Sequence, residues 1–71
     1  MELILHNDNE HSFDYVYATL MREAKHLPIQ AISCITIIEN KGQCCIKVGK
    51  LDDLIDLKHR LETYQLKLTL E

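Results

Sequence analysis

An α+β domain is the fold class the sequence predicts, and three observations predict it. A short apolar run opens the chain at 2–6, apolar residues recur at helical spacing over 13–24, and the closing residues 66–71 alternate apolar with polar. Period 2 at both ends with period 3.6 between them marks strands flanking helices.

The first element is Glu2-Leu3-Ile4-Leu5-His6, a buried-strand pattern closed by the turn formers Asn7, Asp8 and Asn9. Ser12 is placed to cap the helix that follows, with Asp14 in its first turn, where a negative charge meets the positive end of the helix dipole. Phe13, Val16, Tyr17, Leu20, Met21 and Ala24 fall on one face of a helix predicted over 13–25. In so small a domain that face is needed for packing, so its Met and aromatic members read as core. Phe13, beside the loop, is the member free to do more.

Residues 28–48 support two readings. The β-branched run 31–38, then Glu39-Asn40-Lys41-Gly42, then Gln43-Cys44-Cys45-Ile46-Lys47-Val48 fit a β-hairpin by propensity. Pro28 suits a first helical turn, Ile29, Ile32, Ile35 and Ile38 recur every three residues around Ala31, and Gly42 stands where a helix would stop. The next helix is predicted over 51–63. Asp52, Asp53 and Asp56 lie early in it and Lys58, His59 and Arg60 late, while Leu51, Leu54, Ile55 and Leu61 share a face. Leu66, Leu68 and Leu70 alternate with Lys67, Thr69 and Glu71, so a half-buried strand over 66–70 closes the chain.

With 71 residues, 46% of them apolar, residues 1–71 are expected to form one domain, because two cores would each be too small. A chain of this size hides only about 60% of its unfolded surface, which argues against a large active-site cleft. Eight basic and eleven acidic side chains give a net charge of −3, with no Lys/Arg block to track a phosphate backbone, so no nucleic-acid partner is expected. No apolar run approaches the roughly 18 residues of a membrane span and no basic-then-apolar leader opens the chain, so no membrane partner and a cytoplasmic location are expected. Cys34, Cys44 and Cys45 are odd in number, two of them adjacent, and His6, His11, His26 and His59 are scattered. That pattern predicts free thiols in a reducing compartment, with neither a disulfide framework nor a metal site, and no cofactor. A Cys-His nucleophile built on Cys34 or Cys45 would lack an orienting third group, so an enzyme is not expected.

Leu5-His6-Asn7-Asp8-Asn9-Glu10-His11-Ser12-Phe13-Asp14-Tyr15-Val16 resembles the signature of the ClpS adaptor family, an apolar strand, an Asn-Asp-Asp turn and a helix opening with a Met-Glu-Phe-Val-like run. The resemblance continues through the amphipathic first helix, the stretch 31–38 ending at Lys41-Gly42, the apolar run to Val48 and the closing Leu66-Lys67-Leu68-Thr69-Leu70-Glu71. It implies a helix for the first half of the disputed segment. The whole is then a small β-α-α-β-α-β sandwich, a three-stranded antiparallel sheet with helices on one face.

ClpS adaptors bind proteins that begin with a bulky apolar residue and hand them to an AAA+ unfoldase of the Clp protease. The resemblance therefore implies two partners, that unfoldase and the N-terminal segments of its substrates. Family members hold the substrate's α-amino group with the turn Asn and Asp and a His at the end of the second helix. Here these positions are Asn7, Asp8 and, in place of the His, Glu39. Taken alone, Asn7 and Asp8 read equally well as an Asx turn, and Glu39 reads as a solvated carboxylate at an unfavourable helix end. The family's side-chain pocket maps to Leu5, Phe13, Val16, Ile35, Ile38 and Leu66. Phe13 stands where the family carries a Met gate and Ile35 where a flexible Met is common, and these stiffer groups are expected to narrow the pocket. The third helix is expected to be about six residues shorter than the family's, and no N-terminal extension of the kind used in delivery is expected ahead of the first strand. Residues 50–71 are also similar to the closing helix and strand of the ribosomal stalk protein's C-terminal domain, which makes a ribosome-associated module the alternative.

Overall fold

A computed structural model describes residues 1–71. The elements run β1 (Glu2–His6), α1 (Phe13–Glu23), α2 (Pro28–Lys41), β2 (Gln43–Val48), α3 (Leu51–Glu62) and β3 (Lys67–Leu70). β1 is the central strand of a three-stranded antiparallel sheet of order β2-β1-β3. Leu3 and Leu5 point from it into the core at 0% and 1% exposure, as the pleat requires of residues two apart. Ile4, between Cys45 and Thr69 in register, stands outside that core cluster, on the other face. The β1–β2 register slips by one between Leu3 and Ile4, which leaves Ile46 as the extra, buried residue of a bulge.

The disputed segment is a helix followed by a strand. Its buried positions, Ala31, Cys34, Ile35 and Ile38, follow the i, i+3, i+4, i+7 rule. Repetition at every third residue does not describe that face. Three residues advance only about 300° around a helix, so the series drifts, and Ile29 and Ile32 are 71% and 44% exposed. Pro28 occupies the first turn, and the Gln30 side-chain oxygen accepts the Leu27 N–H at 2.8 Å. Gly42 ends the helix in the left-handed conformation at φ 87°, its N–H donating to the Ile38 carbonyl at 2.8 Å.

α1 starts as expected, the Ser12 hydroxyl accepting the Tyr15 N–H at 3.2 Å, but ends at Glu23 rather than at 25. Lys25, at φ 59°, turns the chain away. In α3 the fully buried residues are Leu54, Leu57 and Leu61. Leu51, expected on that face, is 45% exposed because it opens the helix beyond the edge of the core, and Leu57 packs there instead. Leu66 is buried but precedes β3, which begins at Lys67. All three cysteines are free thiols, Cys34 buried, Cys44 half-buried and Cys45 exposed. Burial pushes the Cys34 thiol well above the usual thiol range, with a hydrogen bond donated by its S–H to Cys44 adding to the effect. No helix is long and apolar enough to cross a membrane.

Candidate functional site

The loop between β1 and α1 is held by its own polar groups. The Asn7 N–H donates to the Gly42 carbonyl at 2.9 Å, so the loop rests on the end of α2. That contact brings the last turn of α2, and Glu39 with it, beside the Asn7-Asp8 turn. Asp8 Oδ1 accepts the backbone N–H groups of Glu10 and His11 at 3.0 and 3.1 Å, which makes the Asx turn read from the sequence. His11 Nδ1 lies 2.9 Å from Asp8 Oδ1 and 3.0 Å from Oδ2. Burial alone would raise the Asp8 carboxyl. The hydrogen bond from the His11 ring, followed by those from the two backbone N–H groups, outweighs it and holds Asp8 below the ordinary carboxylate value.

The His11 ring is stacked on Tyr15, centroids 4.8 Å apart and planes 16° from parallel. Tyr15 is tied in turn by its hydroxyl, which donates to the Tyr64 carbonyl at 2.8 Å. At the end of β1, His6 Nε2 meets the Thr69 hydroxyl at 2.7 Å. Glu39 is exposed and takes part in none of the chain's ion pairs, which engage Asp8, Glu23, Asp56 and Glu62.

Of these residues, His6, Asn7, Asp8, His11 and Glu39 line an open cavity of about 100 Å³. Its apolar lining comes from three elements, β1, α1 and α2, and the segment before β3. Leu5, Ile35, Ile38 and Leu66 are buried, Val16 is half-buried, and Phe13 is 45% exposed and stacked on Tyr17 at 5.8 Å. Every position mapped from the sequence reaches this one cavity, Asn7, Asp8 and Glu39 on its polar side and the six apolar residues opposite. His6, His11 and Ser12 line it too and were not singled out as site residues. Ser12 was visible only as a helix cap. His11 stands three residues after Asp8, the reach of an Asx-turn carboxylate, and that spacing was its one signal in the sequence.

Chemically, an acceptor-rich rim with two carboxylates over an apolar floor suits a small cation that carries an apolar group. No three His, Cys, Asp or Glu side chains come together in a way that could hold a metal ion. A helix-backed three-stranded sheet with an open, acceptor-rimmed pocket at its β1–α1 loop defines a small binding module. The family model described as ATP-dependent Clp protease adaptor protein ClpS matches residues 1–69, and the chain belongs to that family. The family is one of adaptors rather than catalysts, which sets this protein in the context of the Clp protease. Among curated proteins, none matches the sequence.

Proposed function

We propose that this protein is a non-enzymatic adaptor that binds the N-terminal domain of an AAA+ Clp unfoldase and holds substrate proteins by a free amino terminus with a bulky apolar first side chain. The observation that carries this reading is the convergence of Asn7, Asp8 and Glu39 over a cavity floored by Leu5, Ile35, Ile38 and Leu66. An α-ammonium offers three donors and a full charge, and hydrogen bonds from it to carboxylates are about twice as strong as neutral ones. The adjoining side chain gains by leaving water, at roughly 25 cal/mol per Å² of apolar area.

Glu39 adds an anion where the family has an imidazole. Its position in the last turn of α2 is unfavourable for a carboxylate, and it forms no ion pair with a cation of the chain. A bound ammonium supplies that partner. Cavity size favours Leu: about 100 Å³ is smaller than the roughly 150 Å³ cavity that admits benzene. The partnership with an unfoldase rests on family membership alone.

The experiment is a titration of isotopically labelled protein with a short peptide beginning with free Leu, followed by amide chemical shifts. Shifts centred on Asn7, Asp8, His11 to Phe13, Ile35 to Glu39 and Leu66 support the reading. Shifts centred elsewhere, or none at millimolar peptide, overturn it.

A further inference from the structure

An ammonium carries three tetrahedral N–H donors, so a pocket that holds one needs several acceptors turned inward. Asp8 has little left to give. Its Oδ1 already receives the Glu10 N–H, the His11 N–H and His11 Nδ1, and only Oδ2, with a single contact from His11 Nδ1 at 3.0 Å, has capacity to spare. The ring that occupies Asp8 offers an acceptor in exchange. An ionised carboxylate can only accept, so Nδ1 carries the proton, and a neutral His11 then has a bare lone pair on Nε2. Nε2 is the ring nitrogen with no hydrogen bond inside the chain, and His11 lines the cavity. Stacking on Tyr15, itself anchored to the Tyr64 carbonyl, keeps the ring from turning away.

We propose that His11, in its neutral form, is a direct acceptor for the bound amino group through Nε2, and that Asp8 both orients the ring and fixes its tautomer. This role rests on the reading of the pocket as an amino-terminus site. Two carboxylates, one further imidazole and a phenol face the His11 ring or the same cavity: Asp8 on the loop, Glu39 from α2, His6 from the end of β1 and Tyr15 from α1. Protonation of Nε2 turns the acceptor into a donor and sets a positive charge against the ammonium. Protonation of His11 therefore weakens binding.

The test is calorimetric titration of the intact protein with a peptide beginning with free Leu, at pH 7.0 and pH 5.5. Between these values the peptide's amino group, ordinarily titrating near 7.7–8.0, stays protonated. Wild type is expected to lose about tenfold in affinity at the lower pH, the scale of one hydrogen bond to a charged group. His11→Ala is expected to bind about tenfold more weakly at pH 7.0 and to show no further loss at pH 5.5. His11→Gln, which keeps an acceptor near the Nε2 position but cannot titrate, is expected to retain most of the affinity at both pH values. His6→Gln, which removes the other imidazole of the cavity, is expected to keep the loss of affinity between the two pH values whatever it does to the affinity at pH 7.0. Circular dichroism of each variant separates loss of binding from loss of fold.

Wild-type affinity equal at the two pH values, or His11→Ala binding as tightly as wild type, overturns the role of His11 and leaves the pocket's function standing. A wild type that binds no free-Leu peptide at pH 7.0 overturns the pocket reading, and the role of His11 with it.

Discussion

The backbone N–H of Asn7 donates to the carbonyl of Gly42 at 2.9 Å, fastening the β1–α1 loop to the end of α2. Two acceptor groups 32 residues apart, Asn7 and Glu39 (39 − 7 = 32), thus share one cavity because a glycine stops the helix between Glu39 and β2. Gly42 has open space where a Cβ would sit, so its φ of 87° is the reason for glycine there. Gly42→Ala is expected to cost about 1–2 kcal/mol, the penalty of the left-handed conformation for a residue with a Cβ. Urea denaturation measures that cost, and a peptide titration on the same sample is expected to show weaker binding because the loop loses its seat.

Glu39 places stability and binding in opposition. An exposed carboxylate in the last turn of α2 opposes the helix dipole. Glu39→Gln is expected to raise the stability by about 0.3–1 kcal/mol at low salt. The same change is expected to weaken binding of a free amino terminus, which paired thermal melts and titrations would resolve.

Asp8 gives the fold a pH dependence whose sign follows from its lowered pKa. The native state holds the proton less tightly than the unfolded chain, so the stabilisation is complete above the ordinary value of 3.8 and is lost as pH falls from there through the native value. Asp8→Asn keeps an acceptor but not the charge, and is expected to cost about 1–2 kcal/mol at pH 7. In denaturation at a series of pH values, the gap between the two proteins should stay constant above about pH 5 and close below about pH 4.

Leu57 and Leu51 distinguish the face that α3 buries from the face expected from its apolar spacing. Leu57 is 1% exposed and Leu51 45%. Leu57→Ala is expected to cost about 2–5 kcal/mol, a large share of the stability of so small a domain, and Leu51→Ala about 1 kcal/mol or less. Denaturant midpoints of the two variants compare them directly.

The elements that were legible from the residues alone are those whose pattern has one solution. Leu3 and Leu5 with Asn7 to Asn9, the 13–24 stripe behind Ser12, and the alternation from Leu66 to Leu70 each match a single periodicity. The helix over Pro28–Lys41 was not legible in this way, because its β-branched residues favour a strand locally and only packing of Ala31, Cys34, Ile35 and Ile38 decides for a helix. Family resemblance supplied what propensity withheld. The nine mapped residues converge on one cavity because the Asn7–Gly42 contact sets the loop after β1 against the C-terminal half of α2, with the first turn of α1 and Leu66 alongside. His11 escaped notice for a physical reason. Its place depends on an Asx turn closing around Asp8 and on a stacking contact with Tyr15, neither of which leaves a periodic trace.

Recognition of a free amino terminus is tested most directly by fluorescence anisotropy with a labelled peptide beginning with Leu, beside the same peptide acetylated at its N-terminus. Acetylation removes the charge and two of the three donors while leaving the side chain unchanged. The expected result is micromolar or tighter binding of the free peptide, abolished by acetylation and by Asp8→Ala. Equal binding of the two peptides, or binding of neither by folded protein, would contradict it.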